Sequence, residues 1–238
     1  MIRPALLALA LSIGAPALAQ EMPTPRTDLD QVRKEALADR NVRAAVADAN
    51  RNLEARLKDD RRDIEVIVKT SHAKAGDRIL DVGSGSGYLA VVFSSLVGPK
   101  GHVDIHNTPG WIVQFPSMGP NLQKQYMKQP NIGWITTSWN ELDAPADSYD
   151  LIMLGQVYHD IILESGDFVA LNERFFKMLK PGGRLVIEDH DAIETMTLNE
   201  QVYLHRISHG DVTGELLRAG FRAADMVLMK SGHDDRRF

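Results

Sequence analysis

The chain of 238 residues carries a formal charge of −5 at pH 7 and contains no cysteine. The acidic balance and the scattered Lys and Arg residues argue against a nucleic acid as substrate or partner. Without thiols the chain has neither a disulfide framework nor a cysteine nucleophile, so its stability must come from an ordinary apolar core.

The first nineteen residues have the composition of an export signal. Arg3 gives a positive start, residues 5–13 form a short apolar core, and residues 17–19 read Ala-Leu-Ala, a small-x-small cleavage site. The apolar stretch is short for a permanent bilayer span. We therefore expect a signal peptide over residues 1–19, cleavage after Ala19, and a secreted or periplasmic mature protein without a stable membrane anchor.

Residues 20–58 are expected to form a linker followed by a helical extension. Residues 21–27 are rich in Pro and Thr and suit a flexible lead-in. From residue 28 to about residue 57, apolar side chains recur at roughly helical spacing, which predicts one or two amphipathic helices. These helices would either cover a ligand site or pack on the flank of the main domain, and we favour the flank. The main domain is assigned to residues 59–238.

The most informative motif is a glycine-rich turn after a short apolar run. Residues 78–88 read Arg-Ile-Leu-Asp-Val-Gly-Ser-Gly-Ser-Gly-Tyr, and the apolar run suits a strand buried on both faces of a parallel sheet. The glycines can take positive φ and leave no Cβ between the backbone and a ligand. A helix beginning near Tyr88 would direct its N–H groups at that ligand. The candidate cofactor-binding residues of this loop are Asp81, Gly83, Ser84, Gly85, Gly87 and Tyr88.

The spacing of the glycines distinguishes among nucleotide-binding loops. The third glycine of a dinucleotide fingerprint would fall at position 88, which is Tyr88, and no Gly-Lys-Ser/Thr of a P-loop follows. The loop reads G-x-G-x-G, with Asp81 preceding it. An ordinary tight turn between strand and helix is the alternative interpretation.

Further elements complete an alternating pattern of strands and helices. Strands are expected at residues 101–107, 131–136, 148–154 and 221–229, and residues 178–188 read as a helix end, a Pro-Gly-Gly turn and a strand. Helices are expected near residues 62–69, 121–128, 168–179 and 212–219, the last with Asp211 as N-cap and Gly220 as its stop. This order predicts an α/β fold with a doubly wound, mostly parallel sheet.

The order and spacing of these motifs resemble those of the class I S-adenosylmethionine-dependent methyltransferases. The loop at residues 81–87 resembles their motif I, residues 179–183 resemble their Leu-x-Pro-Gly-Gly motif, and the resemblance spans residues 60–229. Residues 36–39, 157–160 and 189–191 further resemble a family of predicted methyltransferases exported from bacterial cells. The resemblance implies a Rossmann-like fold and S-adenosyl-L-methionine as the cofactor, but no substrate. Few residues of the sequence follow residue 229, so we expect the family's usual last strand to be short or missing.

The same resemblance suggests further cofactor contacts at the carboxyl ends of the strands, where open parallel sheets bind their ligands. Asn107 stands where the family usually carries an acid for the ribose hydroxyls, and we expect Asn107→Asp to hold or improve cofactor affinity. Ser138 and Trp139 follow the third strand of this fold, where Trp139 would flank the adenine or pack in the core. Gln156 follows the fourth strand.

Two histidines are the candidate catalytic residues. His159 lies in the segment Gln156-Val157-Tyr158-His159-Asp160, and His190 lies between two aspartates after the fifth strand of this fold. A histidine near its ordinary pKa suits a general base for an oxygen or nitrogen acceptor. Structural hydrogen bonding and a divalent metal site are the alternatives, with metal the least favoured. His205 and His209 are expected to be exposed or to cap a helix.

These observations predict a methyltransferase that acts on a small acceptor. One alternative is a non-catalytic protein that binds a nucleoside or metabolite, because Asn107 replaces the usual acid and the methyl donor is made in the cytosol. The other is a metal-dependent lyase or isomerase that uses His159 and His190.

Overall fold

The computed structural model describes residues 5–12, 28–51, 53–126, 129–165, 168–193 and 195–230. One sheet of seven strands lies within these ranges. The strands are β1 (Ala5–Ser12), β2 (Arg78–Val82), β3 (His102–His106), β4 (Ile132–Ile135), β5 (Tyr149–Gly155), β6 (Leu179–His190) and β7 (Arg222–Lys230).

Helices alternate with these strands along the described parts of the chain. Five precede β2: α1 (Leu29–Ala38), α2 (Arg40–Val46), α3 (Leu53–Arg56), α4 (Asp59–Arg62) and α5 (Ile64–Ser71). The others are α6 (Ala90–Val97), α7 (Pro109–Gln114), α8 (Pro120–Tyr126), α9 (Tyr158–Ser165), α10 (Phe168–Met178), α11 (Leu198–Tyr203) and α12 (His209–Arg218).

The strand order is β4-β3-β2-β5-β6-β1-β7, and the first five of these strands are mutually parallel. The chain winds outward from β2 in one direction and from β5 in the other, so the strand order reverses between these two neighbours. Ligands of such sheets bind beyond the carboxyl ends of the strands at this reversal. The predicted α/β, doubly wound, mostly parallel fold is therefore confirmed.

The core lies on both faces of the sheet, as parallel strands require. The strand residues Ile79 and Leu80 are fully buried and belong to the two different apolar clusters, one on each face. Val32 and Val42, from α1 and α2, belong to the same cluster as Ile79. The helical extension thus shares the core of the main domain and packs along its flank, through α5 and α6.

The strand β1 differs from the expectation that residues 1–19 lie outside the fold. In the structure of the whole chain, Ala5–Ser12 runs between β6 and β7 and is antiparallel to both. A short apolar run suits a buried strand as well as the apolar core of a leader, so periodicity does not separate the two. The cleavage sequence at residues 17–19 lies outside the described residues, and its processing stays a prediction.

Some element boundaries also differ from the expected ones. The helix after the glycine loop begins at Ala90 rather than near Tyr88, and two helices, α7 and α8, lie where we expected one. The helix α12 is capped by Ser208, whose side chain accepts a hydrogen bond from the main-chain N–H of Asp211, so Asp211 is not the cap. Among the described residues no strand follows β7, and none of their helices has the length and apolar character needed to cross a bilayer.

Candidate functional site

The glycine loop has the backbone conformation that its sequence predicts. Gly83, Gly85 and Gly87 take φ values of 60°, 61° and 78°, a region that residues with a Cβ rarely adopt. A Cβ at Gly83 would overlap Val157, and one at Gly87 would lie 2.9 Å from the ring of Tyr126. At Gly85 the nearest protein atom would be the methyl of Met118, at 3.8 Å. Gly85 therefore faces open space, which leaves room for a ligand against its backbone.

Asp81 anchors this loop from the end of β2. Its buried carboxylate accepts a hydrogen bond of 2.5 Å from the Ser84 hydroxyl and another from the main-chain N–H of Ala90, at the start of α6. Burial raises the pKa of Asp81 to about 6, because the charged form loses its hydration. Asp81 and Ser84 thus stabilise the turn from within, and their role in cofactor binding stays a prediction.

The raised pKa predicts a specific pH dependence for Asp81→Asn. The folded carboxyl keeps its proton to higher pH than the unfolded one, so its contribution to stability is present below pH 3.8 and lost as the pH rises through about 6. We expect the free energy of unfolding of the parent, minus that of Asp81→Asn, to fall over this interval. Urea unfolding of both proteins, up to neutral pH, measures it. A pH-independent difference would contradict the pKa.

Asn107 follows β3 and holds the glycine loop in place. Its Oδ1 accepts a hydrogen bond of 2.9 Å from the N–H of Gly85, and its Nδ2 donates to the carbonyls of Gly85 and Met118, both at 2.9 Å. Both donor hydrogens of the amide therefore go to main-chain oxygens, and one acceptor site of its oxygen is used by a main-chain N–H. Asn107 follows β3, as the sequence indicated. Its side chain, however, is hydrogen-bonded to the loop and is not available to bind the ribose hydroxyls.

These contacts reverse the expected effect of Asn107→Asp. A carboxylate would lose both donated hydrogen bonds and face two carbonyl oxygens, so we expect cofactor affinity to fall by about 10- to 100-fold. Calorimetric titration with S-adenosylmethionine measures this loss. Asn121→Asp, at an exposed position of α8, makes the same change of charge away from the loop and is the control. Unchanged or improved affinity of Asn107→Asp would restore the ribose interpretation.

Trp139 lies buried behind the loop, whereas Ser138 is partly exposed. Ser138 precedes a single 3₁₀ turn and forms a capping box with Glu141. Trp139 is buried in the core, its indole N–H donates to Glu164 at 2.8 Å, and its ring would lie 3.2 Å from a Cβ on Gly83. Of the two interpretations of Trp139, the structure favours core packing directly behind the glycine turn.

His106, the last residue of β3, is a loop contact that the sequence analysis missed. It is fully buried, its Nε2 lies 3.0 Å from the carbonyl oxygen of Thr137, and its Nδ1 lies 3.5 Å from the main-chain nitrogen of Gly83. Burial lowers the pKa of His106 to about 4, so the ring is neutral at physiological pH. A neutral ring with its proton on Nε2 satisfies both contacts.

The helix α4, which directly follows the N-terminal extension, contacts the glycine loop at Tyr88. Arg62 forms a buried ion pair with Glu188, and its guanidinium lies 4.4 Å from the ring centroid of Tyr88. The Tyr88 hydroxyl donates to Asp59 at 3.1 Å, and Gln156 donates to Glu188 at 3.2 Å. The extension therefore packs on the flank through α1 and α2, as expected, while α4, at the start of the main domain, contacts the predicted cofactor loop.

His159 lies in a cluster of polar side chains beyond the ends of β5 and β6. It is buried, and its Nδ1 lies 2.8 Å from Oδ1 of Asp189. Its Nε2 lies 3.4 Å from Oδ2 of Asp160 and 3.2 Å from Nδ1 of His205. Burial disfavours the imidazolium, but the two carboxylates and the hydrogen bond to Asp189 outweigh it, so the pKa of His159 is raised. The arrangement can accept a proton or bind a cation.

The three other histidines named in the sequence analysis differ in their relation to this cluster. His190 ends β6, and its main-chain N–H donates to Asp189, but its side chain is not among the grouped potential ligand atoms of the described residues. His205 was expected to be exposed or capping; it is largely exposed, yet its ring contacts His159. His209 lies at the start of α12, 3.1 Å from Asp191, which agrees with a local structural role.

Comparison with known proteins identifies relatives of this chain. Residues 73–225, more than half of the chain, match the family described as a methyltransferase domain. The ubiquinone/menaquinone biosynthesis C-methyltransferase of Vibrio vulnificus is 31% identical over 123 residues, which cover 50% of this chain and 44% of the relative. The 2-phytyl-1,4-naphtoquinone methyltransferase of Synechococcus elongatus is 31% identical over 141 residues, 58% of each chain. The chain thus spans about half the length of these curated relatives.

Solved structures show the same fold. A SAM-dependent methyltransferase from Aquifex aeolicus aligns with a TM-score of 0.56 at 21% identity, over 83% of this chain and 90% of that one. An arsenic(III) S-adenosylmethionine methyltransferase from Chlamydomonas reinhardtii aligns with a TM-score of 0.54 at 22% identity, over 76% of this chain and 61% of that one. The chain therefore belongs to the methyltransferase-domain family and has the fold of the class I S-adenosylmethionine-dependent methyltransferases.

Proposed function

We propose that this protein transfers a methyl group from S-adenosylmethionine to a small acceptor that loses a proton in the reaction. The observation that carries the proposal is the placement of two features on neighbouring strands. The open glycine loop follows β2, while His159 lies after β5 and its partner Asp189 lies at the carboxyl end of β6. These strands are adjacent in the sheet, so a donor on the loop and an acceptor beside His159 would be neighbours.

The residues around the loop fit this cofactor. Gly85 has no Cβ, and the space that a Cβ would fill is open. A ligand can therefore approach the backbone of Gly85 directly. The ammonium of Lys58 lies beside the loop, with its Nζ 3.5 Å from the Ser86 hydroxyl, whereas the carboxylate of Asp59 pairs with Arg51 and accepts from Tyr88. The amino acid moiety of the cofactor carries a carboxylate group, which the positive charge of Lys58 complements.

The chain must position the acceptor and remove its proton. When bound, S-adenosylmethionine supplies an electrophilic methyl group on a positively charged sulfur. Asp189 accepts from Nδ1 of His159, which fixes the orientation of the ring and leaves Nε2 directed at the cluster. In the absence of a metal ion on its Nε2, His159 can then take the acceptor's proton, while Asp189 acts as a positioning residue that stabilises the imidazolium.

We infer that the acceptor is a hydroxylated aromatic ring of the quinol type. Two of the relatives are named as methyltransferases of quinone biosynthesis and of a naphthoquinone, which supports this class. A quinol also suits the chemistry of His159, because loss of the hydroxyl proton raises the nucleophilicity of both the oxygen and the neighbouring ring carbons.

Two measurements on the same preparation test the proposal. Calorimetric titration should give saturable binding of S-adenosylmethionine and no binding of NAD. Transfer of a labelled methyl group should then occur to a reduced naphthoquinone, with a small phenol and a small amine as alternative acceptors. Binding without transfer to any of them would support the non-catalytic alternative, and the absence of cofactor binding would contradict the proposal altogether.

We also propose that the protein is exported and cleaved between Ala19 and Gln20. The charged start, the short apolar core and the Ala-Leu-Ala sequence support this location, and the family resemblance agrees with it. We expect intact-mass analysis of a periplasmic fraction to give the mass of the chain that begins at Gln20. Recovery of the unprocessed chain from the cytosol alone would contradict export.

A further inference from the structure

We propose that His159, Asp160 and His205 bind a divalent metal ion of the zinc class beside the methyl-acceptor position. Nε2 of His159, Nδ1 of His205 and a carboxylate oxygen of Asp160 offer two nitrogen ligands and one oxygen ligand. The potential ligand atoms of these three residues all lie within 4.8 Å of one another. Ion binding can be tested independently, but its assigned role in the reaction rests on the function proposed above.

The distances between the ligand atoms suit tetrahedral coordination. Zinc bonds of about 2.0–2.1 Å place the ligand atoms of a tetrahedral site about 3.3–3.4 Å apart. The two ring nitrogens are 3.2 Å apart, and the Asp160 oxygens lie 3.4 Å from His159 and 3.7 Å from His205. An ion at the centre would therefore need only small movements of these side chains.

Asp189 gives the site the support that metal-binding histidines require. A ligating histidine usually donates its other ring N–H to a carboxylate, which fixes the tautomer and directs the free nitrogen at the metal. Nδ1 of His159 has this contact with Asp189, and both side chains are almost completely buried. The carboxylates of Asp189 and Asp160 also favour a positive charge at this point.

The backbone of His205 is held in an uncommon conformation that brings its ring to the cluster. His205 has φ 51° without being a glycine, and its main-chain N–H donates to the carbonyl of Val202 at 2.9 Å. The main-chain N–H of Arg206 donates to the carbonyl of Gln201 at 2.8 Å, so the two hydrogen bonds form the Schellman ending of α11. This ending places His205 against the buried His159.

Three protein ligands leave a fourth position for an exchangeable oxygen, the arrangement of catalytic rather than structural zinc sites. The side chain of His205 is 74% exposed, so solvent or an acceptor reaches the cluster from that side. An ion in this place would occupy Nε2 of His159 and would take over the activation of the acceptor from that nitrogen, by binding the acceptor's hydroxyl oxygen and lowering its pKa. The proton then leaves to solvent, the methyl group bonds to the acceptor, and the electron pair of the broken carbon–sulfur bond stays on sulfur.

Metal titration of the chelator-treated protein tests the site. We expect one zinc ion per chain by calorimetry, and the visible spectrum of tetrahedral cobalt when Co²⁺ replaces zinc. His205→Asn should weaken zinc binding by more than about 100-fold, and Asp189→Asn by about 10- to 100-fold. His209→Asn is the matched control, because His209 also contacts an aspartate but lies outside the cluster. Circular dichroism of each variant verifies its fold.

Two results would overturn the site: a parent protein without stoichiometric zinc, or a folded His205→Asn variant that binds zinc as the parent does. Binding of S-adenosylmethionine and the rate of methyl transfer are measured on the same samples. These measurements distinguish a failure of the metal site from a failure of the proposed function. Zinc binding without cofactor binding would contradict the proposed function and leave the metal site standing. Methyl transfer at full rate in excess chelator would remove the ion from the reaction and leave the proposed function standing.

Discussion

Gly85→Val is expected to abolish S-adenosylmethionine binding while leaving a folded protein. The added side chain would enter the gap in front of the loop, where the nearest protein atom is the methyl of Met118 at 3.8 Å, so the chain itself has room for it. A ligand that lies against the Gly85 backbone would collide with the branched side chain. Calorimetric titration measures the loss, and circular dichroism together with urea unfolding measures the fold.

Valine at φ 61° also adds backbone strain, which the control must reproduce. Gly76 has φ 90°, and a Cβ there would meet nothing within 4 Å, so Gly76→Val introduces comparable strain in the turn before β2. We expect Gly76→Val to lose stability and to keep cofactor affinity. If Gly85→Val is folded and binds S-adenosylmethionine as tightly as the parent, the cofactor does not lie on this loop.

His159→Gln is expected to lower the rate of methyl transfer by about 10²–10⁴-fold, with cofactor affinity nearly unchanged. Glutamine can neither accept the acceptor's proton nor bind an ion that would promote loss of that proton. Glutamine keeps a polar group near Asp189, so the buried carboxylate is not left facing an apolar side chain. Single-turnover rates and calorimetry separate the loss of chemistry from a loss of binding. His190→Gln tests the second histidine that the sequence indicated.

Measuring stability together with the rate distinguishes a chemical role of His159 from a purely structural one. A structural role would lower activity only in proportion to the folded fraction, so urea unfolding accompanies each rate measurement. His209→Gln removes a ring from a similar aspartate contact and should retain the parent rate. Full activity of folded His159→Gln would contradict both the proton-acceptor role and the metal-ligand role.

The sequence predicted those parts of the fold that depend on local pattern. The apolar run before the glycines, the loop itself and the order of strands β2 to β7 are each encoded within a few consecutive residues, and they are confirmed. The direction of a single side chain is not encoded in this way. Position 107 was identified correctly, but only the folded loop shows that the Asn107 amide contacts Gly85 and Met118.

The polar cluster shows the same limit more strongly. His159 was singled out because it follows a strand, whereas His205 lies 46 residues further along the chain, in the turn after α11. No spacing rule connects the two positions, since their contact depends on how α11 packs against α9. The positive φ of His205 could have indicated that its ring turns back toward His159. The φ angle of a residue other than glycine cannot, however, be predicted from composition.

The position of β1 in the sheet means that the sheet can be completed only late in the synthesis of the chain. The Cα atom of Leu6 pairs with those of His190 and Met229, so β1 is made before both of its partner strands and can pair with them only after β7 has been made. Pairings so distant in sequence form late. If the proposed cleavage removes β1, β6 and β7 both lose the strand between them. Each then has an edge that can pair with another strand. The fate of eight residues thus decides between two different sheets.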